Sequence, residues 1–102
     1  MKAINVINPG KNSTLEIQEV PTPAPAEHEI LVKVEATALN RAGSLLQRKG
    51  NYPVPEGASK ILGLEMAGVV EKVGAEVLRW QPGDFVFSLL PGGGYAEFLY
   101  RP

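Results

Sequence analysis

Apolar residues recur mostly at every second position of this chain. In KAINVIN, Ile4 and Val6 alternate with Asn5, and in STLEIQEV, Leu15 and Ile17 alternate with Glu16 and Gln18. EILVKVEATA sets Ile30, Val32, Val34 and Ala36 on one face, opposite Leu31, Lys33 and Glu35. A period of two predicts a strand at each. Strand-forming residues return in GVVEKV and in DFVFSLL, where Phe85 and Phe87 share a face. In YAEFLYRP, Ala96, Phe98 and Tyr100 fall on one side and Tyr95, Glu97 and Leu99 on the other.

Between the second and third strands, PTPAPAEH carries prolines at 21, 23 and 25. With so few backbone donors it predicts an extended surface connection. Asn40 to Lys49 predicts a helix: Asn40 can cap it, Ala42, Leu45 and Leu46 give it an apolar side, and Gly50 is placed to end it. NYPVPEGAS reads as loop, and Pro82-Gly83 marks a turn. Many short strands, one short helix and frequent Gly/Pro turns predict a mainly β domain, a barrel or sandwich. A doubly wound α/β domain would need several long helices between strands, and this pattern lacks them.

Composition narrows the function classes. A length of 102 residues suits one compact domain. Ten basic against eleven acidic residues leave no basic footprint for nucleic acid or an anionic membrane surface. The opening MKAINVINPG lacks the apolar core of a signal peptide, and no apolar run could span a bilayer, so a soluble cytoplasmic protein is expected. The absence of cysteine removes disulfide and thiolate chemistry.

The glycine run in PGGGYAEF suggests a phosphate cradle, but a dinucleotide loop must open a helix whose N-terminal amides hold the pyrophosphate. Gly92, Gly93 and Gly94 are followed by residues of period two, and no Gly-Lys-Ser/Thr is present. They are read as a hairpin turn between two strands. His28 is the only histidine and sits in the polar stretch AEHEI, where a solvated side chain is expected and a tetrahedral zinc site is not. Ser13, Ser44, Ser59 and Ser88 have no base to activate them. Three polar positions remain. Asn40 is either a helix cap or a ligand contact, and Tyr52 either packs on its proline-rich loop or stacks on a flat ligand. Glu65, between Leu64 and Met66, must reach solvent or find a donor such as Arg41.

Four segments in order then carry a family resemblance: PGKNSTLEIQEVPTPAP, EILVKVEATALNRA, GNYPVPEGASKILGLEMAGVVEKVG and WQPGDFVFSLLPGGGYAEF. Together they resemble the N-terminal, GroES-like catalytic domain of medium-chain dehydrogenases/reductases, and within them the zinc-independent NAD(P)H quinone oxidoreductases. The resemblance covers nearly the whole chain. It implies one GroES-like domain over 1–102, an irregular β-barrel with one or two short helices. In zinc-dependent members a cysteine opens the short helix and a histidine lies in a GHE motif. Here Asn40 and Leu64 stand at those places, which implies the zinc-free branch.

Such proteins reduce quinones or other activated carbonyl compounds with hydride from NADPH, bound between this barrel and a following Rossmann domain. By the same resemblance Asn40 contacts the nicotinamide end of the cleft, Tyr52 flanks the quinone, and Leu64 forms an apolar wall. No residue is singled out as acid, base or nucleophile. Relatives commonly read NRAD before the tyrosine; NRAGSLLQRKGNY is one residue longer, which bears on the position of Tyr52. No nucleotide-binding domain falls within the 102 residues, so the chain is expected to hold half a cleft, to bind NADPH weakly and to turn over poorly by itself. It is also expected to self-associate through the surface that would face that domain, with YAEFLYRP as an unprotected edge strand. The rival expectation is a stand-alone GroES-like binding or assembly module, such as a ring subunit without catalysis.

Overall fold

The computed structural model describes residues 1–10, 12–39, 59 and 61–101. The helix predicted over 40–49 and the loop carrying Tyr52 lie outside the described residues. All six predicted strands are present: β1 (Lys2–Ile7), β2 (Thr14–Glu19), β3 (Ile30–Thr37), β4 (Glu65–Val73), β5 (Phe85–Leu89) and β6 (Phe98–Arg101). β1 and β2 pair as a two-stranded sheet, and the other four form an antiparallel sheet in the order β5-β4-β3-β6. The mainly β expectation is met. Among the described residues the two sheets are joined by a single bridge, Ala3 to Ala96, rather than by a ladder closing a barrel.

The four-stranded sheet curls around its own apolar face. Val32 stands opposite both Val70 of β4 and Leu99 of β6. This row is the centre of the core, with Val32 and Val70 fully buried. Ile30, Met66 and Leu90 complete the core, and Val86 and Trp80 pack against it from the side. The curl carries the two outer strands toward each other: Arg101 Nε, on β6, donates to Ser88 Oγ, on β5, at 3.2 Å.

Two irregularities adjust the period of two. Leu31 opposes Lys72 but Val32 opposes Val70, so Glu71 is an extra residue, and Val70 and Val73 both reach the core. At the other end Val34 opposes Gly68 and Ala36 opposes Ala67, which makes Glu35 the extra residue. Ala36 therefore leaves the face of Ile30, Val32 and Val34, contrary to the simple alternation. It joins the exposed face with Ala67 and Phe87.

The glycine run also departs from expectation. β5 and β6 are opposite edges of the sheet, so residues 91–95 cross from one edge to the other and form no hairpin. Their backbone is instead laced to the segment before β4. Gly93 N donates to Ile61 O at 2.8 Å, Gly94 N to Gly63 O at 3.1 Å and Tyr95 N to Leu62 O at 2.9 Å. Pro82-Gly83 does form its turn: Asp84 N donates to Gln81 O at 3.1 Å, with Gly83 at φ 97°.

Candidate functional site

The laced loops bring the end of β3, the start of β4, the end of β5 and the glycine crossing to one end of the sheet. The contact between the loops requires glycine. A Cβ on Gly63 would lie 2.6 Å from Gly94 Cα, and Gly63 has φ +105°. This backbone contact sets Tyr95 beneath the strand end. Tyr95 is buried, and its hydroxyl donates to Ala38 O at 3.3 Å, across 57 positions of sequence. Thr37 Oγ1 donates to Glu65 O at 2.7 Å and fastens the end of β3 to the start of β4.

Two clefts flank Thr37. The first, of about 450 Å³, lies between Ala36–Ala38, Glu65–Ala67 and Phe87–Leu89. Its walls are Ala36, Met66, Ala67, Phe87 and Leu89, and Glu65 is its only ionisable side chain among the described residues. The second, of about 400 Å³, lies toward the two-stranded sheet, where Ile4, Leu15, Ile17, Val34, Leu39 and Tyr95 give it an apolar lining. The first is an apolar hollow with few polar groups, the general character of a small-molecule site, whereas Lys2, Glu35 and Glu97 also border the second. Burial raises the pKa of Tyr95 above its ordinary value of about 10, and the nearby Glu65 carboxylate adds to the shift. Tyr95 is therefore a neutral phenol at physiological pH and a fixed donor to Ala38.

Of the residues singled out from sequence, Leu64 is half-buried just before β4 and lines neither cleft; its carbonyl accepts from Leu90 N at 2.7 Å. Asn40, Tyr52 and Arg41 lie outside the described residues. Glu65 is half-buried, and no donor among the described residues reaches its carboxylate. His28 is exposed as expected, with Nε2 at 2.7 Å from Glu76 Oε2. With Glu27 these two make the one group of potential metal ligands among the described residues. It sits at the opposite end of the β3–β4 ladder from the clefts, where Gly74 N meets Glu29 O and Glu76 N meets Glu27 O. Sequence does not single out Thr37 and Tyr95, because their partners are backbone carbonyls far along the chain. The only signal is that Tyr95 ends the glycine run.

Residues 26–102 match the alcohol dehydrogenase GroES-like domain family. This chain belongs to that family. The GroES-like domain is 37% identical over 100 residues to the quinone oxidoreductase of Lama guanicoe, an alignment covering 96% of this chain and 30% of that protein. Its fold is similar to that of the quinone oxidoreductase of Pseudomonas syringae pv. Tomato, with a TM-score of 0.82 and 35% identity over 99% of this chain and 31% of that one. The quinone oxidoreductase of Thermus thermophilus, solved also as its complex with NADPH, gives a TM-score of 0.73 and 34% identity. There the match covers 100% of this chain and 30% of that one. The GroES-like domain thus spans about a third of the length of these relatives. No helix among its described residues is long and apolar enough to cross a membrane.

Proposed function

We propose that this GroES-like domain supplies one wall of the catalytic cleft of an NADPH-dependent quinone oxidoreductase, which works by hydride transfer without zinc and is completed by a nucleotide-binding Rossmann domain. One observation carries the reading. An apolar cleft of about 450 Å³, with a single ionisable side chain among its described residues, lies at the strand end of a domain whose relatives are quinone oxidoreductases. A quinone, or another activated carbonyl compound, is already electrophilic. It needs alignment and exclusion of water more than a strong acid, base or nucleophile.

The residues present fit a nicotinamide and a flat acceptor, and they do not fit the phosphates. The amides of Gly93, Gly94 and Tyr95 already donate to carbonyls of residues 61–63, so the glycine run has none of these to offer an anion. The pyrophosphate is held by the other domain. When bound, NADPH supplies the hydride. On this side Asn40 contacts the nicotinamide and Tyr52 flanks the quinone, the roles that the family resemblance gives them; Leu64, the apolar wall by the same resemblance, borders the cleft only through its neighbour Glu65. Ala36, Met66, Ala67, Phe87 and Leu89 keep water from the acceptor. Tyr95 holds the Ala38 carbonyl, two residues before Asn40, and so fixes the point from which Asn40 departs. Neither Asn40 nor Leu64 is a zinc ligand, which favours chemistry without the metal.

Steady-state oxidation of NADPH by 1,4-benzoquinone, with and without a zinc chelator, tests the reading on this chain. Weak turnover, unchanged by the chelator, is expected. Turnover as fast as that of a complete quinone oxidoreductase would overturn the division of labour between two domains.

A further inference from the structure

The cleft at the strand ends is apolar except at one point, and that point carries a charge. Glu65 opens β4 opposite Leu89 of β5, and two residues on Ala67 stands opposite both Ala36 and Phe87. Side chains two apart on a strand share a face. Glu65 therefore lies on the face of β4 that carries Ala67, beside Phe87 and Leu89, and all four line the cleft. Its main chain is held in place, because Glu65 O accepts from Thr37 Oγ1 at 2.7 Å.

Among the described residues no cation lines the cleft to offset this carboxylate. Arg101 bonds Ser88 from the inner side of β5, where Val86 packs on the core, and is not part of the lining. The field of the carboxylate also reaches the wall behind. After burial, it is the second cause of the raised pKa of Tyr95, whose hydroxyl holds Ala38 at the rim.

We propose that Glu65 makes the cleft selective for uncharged acceptors: it admits neutral quinones and related carbonyl compounds and excludes those whose ring carries a sulfonate, carboxylate or phosphate. This selectivity rests on the cleft's being the acceptor site, and it narrows the acceptor class. An anion entering here gives up water, finds no donor cation among the described lining, and meets a like charge. A like charge about 8 Å away near a protein surface weakens binding roughly tenfold or more.

Titrations of this chain followed by amide NMR shifts compare two ligands under argon. Hydroquinone is the neutral product of 1,4-benzoquinone reduction, and 2,5-dihydroxybenzenesulfonate is the same ring with one negative charge. Neither adds to amines as the quinone does. Dissociation constants are read at Ala67, Phe87 and Leu89, which line this cleft and not the one beside the two-stranded sheet. The sulfonate is expected to bind roughly tenfold more weakly, or worse, with the gap narrowing as salt rises. Glu65→Gln should close most of the gap. Glu71→Gln, at an exposed glutamate farther along β4, should leave it unchanged. The salt series on the unaltered chain decides the matter even where Glu65→Gln fails to fold. Equal binding of the two ligands, a gap indifferent to salt, a gap that survives Glu65→Gln in the folded variant, or one that Glu71→Gln also closes would overturn the role of Glu65 and leave the acceptor cleft in place. Hydroquinone that shifts none of these amides would overturn the acceptor cleft itself, and the selectivity with it.

Discussion

Gly63 and Gly94 touch backbone to backbone, and a Cβ on Gly63 would stand 2.6 Å from the Gly94 Cα. The contact joins the segment before β4 to the crossing before β6. Gly63→Ala combines that clash with a φ of +105° and should cost roughly 3 kcal/mol or more. Gly83→Ala is the control: φ is +97° but nothing lies within 4 Å, so only the backbone penalty of about 1–2 kcal/mol is expected. Urea unfolding of both variants checks the difference, and equal losses would contradict the close contact.

Tyr95 predicts a pH dependence. Its pKa is raised in the folded protein, by burial first and by Glu65 second. Above pH ~10 the unfolded chain loses the phenolic proton while the folded chain keeps it. The folded state then binds more protons, and stability falls as pH rises. The contribution is complete below pH ~10 and is lost as pH climbs through the folded pKa. Tyr95→Phe should remove this alkaline loss and, through the Ala38 bond, cost about 1 kcal/mol at neutral pH. Unfolding midpoints from pH 8 upward, measured on both proteins, give the comparison.

Val32 lies between Val70 and Leu99 with no exposed surface. Val32→Ala should lose roughly 2 kcal/mol, from the methyl groups removed and the cavity left in the curl of the sheet. Phe87→Ala, at a side chain nearly free in solvent, should change the stability by less than about 0.5 kcal/mol. Thermal unfolding separates the two.

The bond between Arg101 and Ser88 links strands that share no ladder. A double-mutant cycle with Arg101→Ala and Ser88→Ala should give a coupling of about 1 kcal/mol. Strict additivity would mean that the two edges do not meet.

The strands are legible because an apolar residue at every second position buries one face, as Val32 and Val34 do. The order of the strands is not. The residues of PGGG show that the chain turns, but not that it returns beside β3 rather than β5. Those glycines serve a contact with Gly63, some 30 positions earlier, which no local pattern reveals. The bulges at Glu35 and Glu71 are likewise hidden, since an extra residue changes no composition and only shifts which face follows it. At the site, GLE points to Leu64, whereas the geometry draws attention to its neighbour Glu65 and to Thr37 and Tyr95. The partners of Thr37 and Tyr95 are main-chain carbonyls, and a carbonyl has no signature in sequence.

If this domain forms the acceptor side of a zinc-free, NADPH-dependent cleft, it should restore that cleft when joined to a foreign nucleotide domain. The most direct test is a chimera in which this chain replaces the matching domain of the Thermus thermophilus quinone oxidoreductase. NADPH oxidation by 1,4-benzoquinone is then measured in the presence of a zinc chelator. Quinone-dependent turnover well above that of either part alone is predicted. A chimera that folds and binds NADPH but leaves the quinone unreduced would contradict it.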